Sequence, residues 1–243
     1  MSFDLDNRRV LVTGAARGIG LGICKRFHEL GARVVGWDIA PEPILKDTDF
    51  ELVQTVDVTD EKGVQEGYRA ARQALGGIDI VIANAGVNGS TRPAWEYSLE
   101  EWQHVINVDL TGVFLTTREA VLDMRERREG RIIVIASVAS KEGNPGACAY
   151  GAAKAGVHGY VKTLARELMP SNITVNCIGP AITETDLFSE MSEDYIADKL
   201  SRIPMKRFCT VSEIADMTAF VASPRCSFTT GQLFDVTGGR TTF

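Results

Sequence analysis

The chain has 243 residues, of which 44% are hydrophobic and 24% are charged, and its formal net charge at pH 7 is −6. These values are ordinary for a globular protein that buries a sizeable core. The acidic balance argues against nucleic acid as a partner. The basic cluster at 125–131, RERREGR, alternates with glutamate and is predicted to close a helix, whose negative dipole end favours cations.

The N-terminal segment, MSFDLDNRRV, carries acids and arginines but no apolar stretch of the kind found in signal peptides. The longest apolar runs are far shorter than a membrane span, so we expect a cytoplasmic protein with no membrane partner. No histidine, cysteine and carboxylate cluster has the spacing of metal ligands, so no metal site is expected. The cysteines are odd in number and form no CxxC pair, which is typical of a reduced intracellular protein. They are Cys24, Cys148, Cys177, Cys209 and Cys226.

Short β-branched runs alternate with longer amphipathic segments along the chain. The predicted strands are residues 8–14, 32–38, 51–58, 78–86, 131–137, 173–180 and 232–239, and the predicted helices are 18–30, 64–75, 99–127, 150–168 and 211–222. The strand runs are nearly continuous in apolar residues, which indicates strands buried on both faces. We therefore predict an α/β fold: a single domain over residues 1–243, with a seven-stranded parallel sheet and helices on both faces.

The segment 183–207 follows a predicted strand and is polar and irregular. A long segment of this kind is typical of a mobile lid over a substrate. A plain pair of surface helices explains it equally well, because long insertions are commonly structural.

A glycine-rich turn connects the first predicted strand to the first predicted helix. In VLVTGAARGIG, Gly14, Gly18 and Gly20 have the spacing G-x3-G-x-G rather than the commoner G-x-G-x-x-G. Glycines permit positive φ and let the backbone approach a ligand, and the free N–H groups at a helix start suit a pyrophosphate. The alternative is a tight strand-to-helix turn that binds nothing.

Asp38 ends the second predicted strand, eighteen residues after Gly20. A carboxylate there accepts hydrogen bonds from an adenosine ribose and repels a 2′-phosphate, which favours NAD over NADP. Arg17, inside the glycine turn, is the opposing signal, because a cation there suits a 2′-phosphate. The alternative for Asp38 is an ordinary turn residue at a strand end.

Tyr150 and Lys154 lie four residues apart in CAYGAAKAG, among alanines and glycines. In a helix, this spacing puts both side chains on one face. Two large polar groups in otherwise small surroundings are compatible with a catalytic pair, but this segment alone favours the plainer alternative. The alternative is a helix whose small residues let a neighbouring helix approach, with Tyr150 and Lys154 at its rim.

These motifs together resemble those of the short-chain dehydrogenase/reductase family in its compact single-domain form. TGAARGIG resembles the family's coenzyme turn, DVTD with Asp57 and Val58 resembles its adenine contact, and NAG at 84–86 resembles the element that supports the sheet and the ribose. YGAAK resembles the family's Tyr-x-x-x-Lys, and Ser137 lies thirteen residues before Tyr150, as the family's serine does. The motifs run from residue 13 to about residue 239, so the resemblance covers nearly the whole chain.

The resemblance implies a doubly wound Rossmann fold and a nicotinamide cofactor, with NAD favoured over NADP. The residues that it implies for cofactor binding are Gly14, Arg17, Gly18, Ile19, Gly20, Asp38, Asp57, Val58, Asn84, Ala85, Gly86, Tyr150, Lys154, Pro180, Thr183 and Thr185. One departure lies after the sixth predicted strand, where the family's Pro-Gly-x-Val/Ile-x-Thr is here PAITET. Alanine stands at position 181 and threonine at 183, so the path of this loop is left open.

The resemblance also implies the chemistry, a hydride transfer between nicotinamide and a carbinol carbon. Tyr150 would take or give the hydroxyl proton, and Lys154 would favour the phenolate and hold the nicotinamide ribose. Ser137 would hydrogen-bond the substrate oxygen, with a strand-end cap as the alternative. Asn107, in HVINVDLTGVF, matches the fourth catalytic residue and would bend its helix and anchor a relay water. The alternative for Asn107 is a buried, satisfied helix asparagine.

The residues expected around the substrate are polar, whereas an acyl chain or a steroid would call for leucine, phenylalanine and methionine. They are Asn88, Ser137, Glu142, Asn144, Tyr150 and Glu184. This set indicates a small hydroxylated substrate such as a sugar acid or polyol. Segments 140–156 and 226–243 are similar to those of family members that act on sugar acids, including 2-keto-3-deoxy-sugar-acid dehydrogenases. For such a substrate, a base such as Arg92, Lys141 or Arg202 is expected to pair the carboxylate.

Two other functions stay open. A 3-oxoacyl-carrier-protein reductase shares every catalytic residue, but it is expected to prefer NADPH and to present a basic surface, which Asp38 and the net charge oppose. A binding protein that senses the redox state of NAD without turnover would be favoured by the loss of Tyr150 or Lys154, and both are present. The resemblance further implies a homotetramer, with the helices that start at Leu99 and Tyr150 at one interface.

Overall fold

The fold is built on a parallel β-sheet. The computed structural model describes residues 3–41, 50–184 and 193–242. The strands are β1 Arg9–Thr13, β2 Arg33–Asp38, β3 Leu52–Thr55, β4 Ile80–Ala83, β5 Gly130–Ile135, β6 Ile173–Pro180, β7 Thr183–Glu184, β8 Cys209–Thr210 and β9 Leu233–Val236. Seven of them form one sheet in the order β3-β2-β1-β4-β5-β6-β9, with every neighbouring pair parallel, and β7 pairs separately with β8.

Helices cover both faces of this sheet. They are α1 Gly18–Glu29, α2 Glu61–Leu75, α3 Leu99–Ile106, α4 Gly112–Arg127, α5 Ala139–Glu142, α6 Cys148–Leu168, α7 Glu193–Ser201 and α8 Val211–Ala222. A five-residue π-helical turn, Asn107–Thr111, joins α3 to α4. Within the described ranges, none of the helices is long and apolar enough to cross a bilayer, and no three His, Cys, Asp or Glu side chains are grouped to hold a metal ion.

Alternation along the central strand β1 divides the core into two layers. Val10 and Val12 pack with Phe27 of α1 and Ile214 of α8 on one face. Leu11 packs on the other face with buried side chains of α2, α4 and α6. These three side chains of β1 are fully buried, as expected for a strand between two layers of helices.

The order of the strands reverses between β1 and β4, and ligands bind in the crevice at such a reversal, outside the carboxyl ends of the strands. The glycine turn follows β1 at this edge, and Asn84, Ser137 and Pro180 lie at or just beyond the ends of β4, β5 and β6. The fold therefore brings the site segments expected from the sequence to one edge of the sheet.

The seven-stranded parallel sheet with helices on both faces, predicted from the sequence, is confirmed. The predicted helix at 99–127 is instead two α-helices divided by the π turn. In the segment 183–207, the described parts are regular rather than irregular, because β7 pairs with β8 and α7 is followed by the buried Ile203. A cavity of about 400 Å³ lies beside Ile203 and the end of β9, and neither Ser137 nor Tyr150 lines it.

Candidate active site

The glycine turn between β1 and α1 is fixed against the end of β4. The Asn84 side-chain amide donates to the carbonyl oxygens of Thr13 at 2.9 Å and Gly14 at 3.0 Å. Thr13 Oγ1 accepts hydrogen bonds from the backbone N–H groups of Asn84 and Ala85, both at 3.0 Å. These bonds hold the NAG segment and the glycine turn as one unit. Thr13 is not among the residues expected from the sequence.

The turn leaves a cradle lined by backbone, which fits a dinucleotide cofactor. A Cβ at Gly14 would lie 2.8 Å from Ala85 Cα, and one at Gly20 would lie 2.0 Å from the Gly14 carbonyl oxygen. Gly14 and Gly18 have φ of +65° and +54°, which favour glycine. Arg17 supplies no side-chain cap to α1, and the first turn of this helix holds no acid. The free N–H groups and positive dipole end suit a pyrophosphate.

Asp38 faces the glycine turn from the carboxyl end of β2. Its Oδ2 accepts a hydrogen bond from the Ala16 N–H at 2.9 Å, and its Oδ1 accepts one from the Ala40 N–H at 3.1 Å. Two backbone donors therefore fix the carboxylate in place. The Arg17 side chain, the opposing signal, is exposed. A fixed negative charge at this position favours a ribose hydroxyl over a phosphate.

Asp57 and Val58, expected at the adenine, follow β3. Asp57 is exposed, and its Oδ1 accepts from the backbone N–H of Thr59 at 2.8 Å and from its hydroxyl at 2.7 Å. Val58 is buried against the start of α4, where a Cβ on Gly112 would lie 2.7 Å from Val58 Cγ2. Val58 is thus anchored, while Asp57 is accessible to a ligand. Ile19 in α1 is half-buried.

Tyr150 and Lys154 lie on one face of α6, as their spacing predicts. Lys154 Nζ is 5.6 Å from the centroid of the Tyr150 ring, within the range of a cation–π contact. It also donates to the Ile135 carbonyl oxygen at 3.1 Å, which ties α6 to the carboxyl end of β5. Tyr150 is half-buried, whereas Lys154 is only 4% exposed. The tyrosine is therefore accessible and the ammonium is shielded from water.

A buried carboxylate that is not among the expected residues, Asp109, completes this cluster. Its Oδ2 lies 3.1 Å from Lys154 Nζ, and the two side chains are 0% and 5% exposed. Its Oδ1 accepts from the Val87 N–H at 2.7 Å. Burial alone would lower the pKa of Lys154, but the Asp109 carboxylate and Tyr150 outweigh it and raise this pKa above its ordinary value. The feature of the sequence that could have identified Asp109 is an acidic residue between Val108 and Leu110, within an apolar stretch.

Asn107 opens the π turn, where its carbonyl oxygen accepts from the Gly112 N–H. The expected irregularity of the helix is present at this residue, but the Asn107 side chain is exposed. A π turn shifts the helical phase, so the residues that follow it face a different direction. Asp109, rather than Asn107, is consequently the polar side chain beside Lys154. The alternative reading of Asn107 as a buried, satisfied asparagine is wrong.

The NAG segment connects the glycine-lined cradle to the pair formed by Tyr150 and Lys154. Ala85 packs against Gly14, and the next residue, Gly86, faces the ion pair. A Cβ at Gly86 would lie 3.0 Å from Asp109 Oδ2 and 3.3 Å from Lys154 Nζ. The two parts of the site therefore adjoin through three consecutive residues.

Ser137 is buried just beyond β5, at the same edge of the sheet. Its Oγ accepts a hydrogen bond from the Ala139 N–H at 3.1 Å, at the start of α5. Its carbonyl oxygen accepts from the Ser140 hydroxyl at 2.7 Å. A hydroxyl that accepts one bond still carries a proton to donate, so the capping contact is compatible with a bond to a substrate oxygen.

The loop after β6 is anchored in spite of its departure from the family pattern. Pro180 is buried and its carbonyl oxygen accepts from the Val138 N–H at 3.0 Å, while the Ala181 N–H donates to the Val236 carbonyl oxygen at 3.0 Å. Ala181 does not have a positive φ, so this position needs no glycine. Thr183 is buried in β7, and its hydroxyl donates to the Ala181 carbonyl oxygen at 3.2 Å. Thr185 lies outside the described residues.

Glu142 and Asn144, both expected at the substrate, are held by Arg240, which is not among the expected residues. The Arg240 guanidinium donates to Glu142 Oε2 at 2.9 Å and 2.7 Å and to Asn144 Oδ1 at 3.4 Å. The Arg240 side chain is 6% exposed, so it fixes the loop between α5 and α6 from within. Asn88 and Glu184 are exposed, and the described contacts do not join them to this cluster.

The three cations expected to pair a substrate carboxylate each contact an acid of this chain. The ion pairs are Arg92 to Glu101 at 3.3 Å, Lys141 to Asp235 at 2.5 Å and Arg202 to Asp198 at 2.9 Å. A substrate carboxylate at any of these positions would therefore share the cation with an acid of this chain or displace that acid.

Comparison with known proteins places this geometry among oxidoreductases. A family model described as enoyl-(acyl carrier protein) reductase matches residues 14–241. The chain is 40% identical over 239 residues to a 2-dehydro-3-deoxy-L-rhamnonate dehydrogenase (NAD(+)) of Sphingomonas sp. (strain SKA58), covering 97% of this chain and 96% of that protein. It is 38% identical to a 3-oxoacyl-[acyl-carrier-protein] reductase of Thermotoga maritima over 97% of this chain and 98% of the relative. It also matches a crystal structure of 3-ketoacyl-(acyl-carrier-protein) reductase from Brucella melitensis complexed with NADH, with a TM-score of 0.92, 32% identity, and coverage of 98% of this chain and 100% of that one.

Proposed function

Because the chain belongs to the short-chain dehydrogenase/reductase family, we propose that it is an NAD-dependent dehydrogenase of a small hydroxylated acid. The chain is a nicotinamide-dependent oxidoreductase that acts on CH–OH groups. The observation that carries the proposal is the buried Lys154 ammonium, held beside the half-buried Tyr150 next to the cofactor cradle.

The residues that would hold the cofactor are contributed by successive strand ends. Gly14, Gly18 and Gly20 would hold the pyrophosphate, Asp38 the adenosine ribose, and Lys154 the nicotinamide ribose. When bound, the nicotinamide supplies the acceptor or donor of hydride. The fixed carboxylate of Asp38 supports NAD as this cofactor, and so does the name of the 40% identical relative.

The proton transfer is assigned to the side chains of α6 and the end of β5. Tyr150 takes or gives the proton of the substrate oxygen, and the nearby ammonium of Lys154 favours its phenolate. The Ser137 hydroxyl hydrogen-bonds the same oxygen and stabilises the charge that develops there. The burial of Lys154 strengthens its field, because charges interact more strongly when water is excluded.

The substrate that we infer is a polyhydroxy acid of the 2-keto-3-deoxy-sugar-acid type. The polar wall formed by Glu142 and Asn144, which Arg240 fixes in place, supports a substrate with hydroxyl groups. The 40% identical dehydrogenase is named for a substrate of this chemical class. Since Arg92, Lys141 and Arg202 already have acidic partners, we expect hydroxyl and backbone donors at the acid end of the substrate.

A 3-oxoacyl-carrier-protein reductase is the second candidate, because relatives with 33% and 38% identity carry that name. Such an enzyme must receive an acidic carrier near its site. The basic cluster at 125–131 lies at the end of α4 and the start of β5, opposite the carboxyl edge of the sheet. Arg127 there pairs with Asp79 at 2.9 Å, and Arg128 donates to the Pro170 carbonyl oxygen at 2.6 Å. This position argues against a carrier contact at the site.

The two candidates are separated by one panel of assays. We expect NADH formation from NAD with a 2-keto-3-deoxy-sugar acid or a related sugar acid, and much slower turnover with NADP. A parallel assay uses an acetoacetyl thioester with NADPH. If only this thioester is turned over, the second candidate, a 3-oxoacyl-carrier-protein reductase, replaces the proposal. Tight NADH binding without turnover of any substrate would instead indicate a sensor of NAD.

We further infer a cytoplasmic homotetramer in which residues 1–243 act as one domain. We also infer that residues 183–184 and 193–207 of the expected lid lie at the substrate, whereas residues 185–192 of that segment are outside the described residues. Exposed apolar side chains on α4 support assembly: Phe114 is 41% exposed and Leu122 is 58% exposed, and Tyr160 of α6 packs edge-on against Phe114. Light scattering should give four times the chain mass for the wild type and a smaller mass for Leu122→Glu. A monomeric wild type would contradict the assembly.

A further inference from the structure

Asp109 is buried at the site and contacts Lys154, but the proposed chemistry gives it no part so far. We propose that Asp109 is a positioning residue whose carboxylate holds the Lys154 ammonium, charged and fixed, beside Tyr150. The catalytic consequence of this pairing rests on the proposed function.

The surroundings of Lys154 leave Asp109 as its counter-charge. Within the part of the chain that the structure describes, the titratable groups that act on Lys154 are Asp109 from the π turn, Tyr150 from the same helix and Cys177 from β6. Burial raises the pKa of Cys177 to about 12, so that thiol is neutral at pH 7. The other contact of Nζ is the neutral carbonyl of Ile135 at 3.1 Å. Among these groups, Asp109 supplies the carboxylate, and its Oδ2 lies 3.1 Å from Nζ.

The Asp109 carboxylate is itself held in place. The Val87 N–H donates to its Oδ1 at 2.7 Å, which directs Oδ2 to Lys154 at 3.1 Å. Gly86 lacks the side chain that would intrude on this pair. The contact is therefore a buried ion pair of fixed geometry rather than an exposed and mobile one.

A buried ammonium without a counter-charge either loses its proton or moves toward water. Either change would remove the positive charge that favours the Tyr150 phenolate. Loss of the Asp109 charge should therefore make the tyrosine harder to ionise, and the effect should be measurable without any substrate.

The test compares Asp109→Asn with the wild type by two readouts. The first is the near-ultraviolet tyrosinate absorbance of coenzyme-free protein against pH, with the Tyr150→Phe signal subtracted in each background. We expect the Tyr150 transition to move to higher pH by about one unit or more in Asp109→Asn. The second is the pH profile of kcat/KM for oxidation, whose acid limb should move in the same direction.

Asp79→Asn is the matched control. Asp79 is also buried and ion-paired, to Arg9 and Arg127, but it lies at the start of β4, away from the site. This variant should lose stability and leave both readouts unchanged. A tyrosinate transition that stays in place in Asp109→Asn, or moves to lower pH, would overturn the proposal.

A second variant keeps the test decisive if Asp109→Asn does not fold. Gly86→Ala places a Cβ 3.0 Å from Asp109 Oδ2 and 3.3 Å from Lys154 Nζ, which disturbs the pair without removing it. The same upward movement is expected, and an unchanged transition overturns the proposal. If no substrate is oxidised, the proposed function fails, whereas the tyrosinate readout still decides the part of Asp109.

Discussion

Replacement of Asp38 by asparagine should weaken the preference for NAD over NADP. The carboxylate is held by the N–H groups of Ala16 at 2.9 Å and Ala40 at 3.1 Å, so it cannot turn away from an approaching phosphate. Two unit charges about 4 Å apart near a protein surface repel by about 4 kcal/mol. Asp38 is half-buried, and screening reduces this to about 2–3 kcal/mol.

Because Asp38→Asn removes this repulsion, it should lower the ratio of kcat/KM for NAD to kcat/KM for NADP by a factor of about 30 to 150. The ratio is measured by steady-state kinetics with one substrate and both cofactors. The side-chain amide that replaces the carboxylate can accept only one of the two backbone N–H bonds, so we also expect a loss of about 1–2 kcal/mol in the free energy of unfolding.

Asp216→Asn is the control. Asp216 lies on α8 and forms an exposed ion pair, at 2.6 Å, with Arg26 of α1, so the variant removes the same charge from another place. Its cofactor ratio should match that of the wild type. If the ratio for Asp38→Asn stays within threefold of the wild type, the carboxylate does not select the cofactor, and the argument from its fixed position fails.

Two further changes test the cradle and the opposite end of the sheet. Gly20→Ala puts a Cβ 2.0 Å from the Gly14 carbonyl oxygen, so the affinity for NADH, measured by fluorescence titration, should fall at least about tenfold. Gly159→Ala is the control, because a Cβ there meets no atom within 4 Å, and it should bind NADH normally. Equal affinity in both variants would contradict the assignment of the glycine turn as the cofactor cradle. Burial alone would raise the pKa of Asp79, but its hydrogen bonds with Arg9 outweigh this and lower it. A group with a lowered folded pKa stabilises the protein above its unfolded pKa, near 4, and this stabilisation disappears as the pH falls through the folded value. Asp79→Asn should therefore lower the free energy of unfolding by about 3 kcal/mol at pH 7, which corresponds to about 6–12 °C in Tm. The difference between the variant and the wild type should shrink below about pH 4. A difference that does not depend on pH would show that the ion pair is not its cause.

The sheet could be predicted because its strands are buried on both faces. Runs such as IDIVIANAG contain little but apolar residues, and the glycine turn after the first strand marks the carboxyl edge. Parallel strands then bring the ends of β1, β4, β5 and β6 together without further information. Helical spacing alone predicts that Tyr150 and Lys154 lie on the same face of α6.

The residues that were missed depend on geometry that a periodic pattern does not carry. The bend expected at Asn107 does not show which side chains the π turn directs inward, and this turn leaves Asn107 exposed and Asp109 buried. Arg240 lies about a hundred residues from its partners Glu142 and Asn144, so only the tertiary fold reveals the contact. Likewise, Arg92 was expected to pair a substrate carboxylate, and the sequence does not show that Glu101 lies 3.3 Å from its guanidinium.

The most direct test of the account is a comparison of Tyr150→Phe with the wild type in the oxidation of a 2-keto-3-deoxy-sugar acid by NAD. Removal of one hydroxyl from a half-buried ring should leave NADH binding intact, while kcat falls by at least a factor of about 100. Loss of turnover with retained NADH affinity is the predicted result. A variant that still oxidises the sugar acid at the wild-type rate would show that Tyr150 does not transfer the proton, which contradicts the central claim.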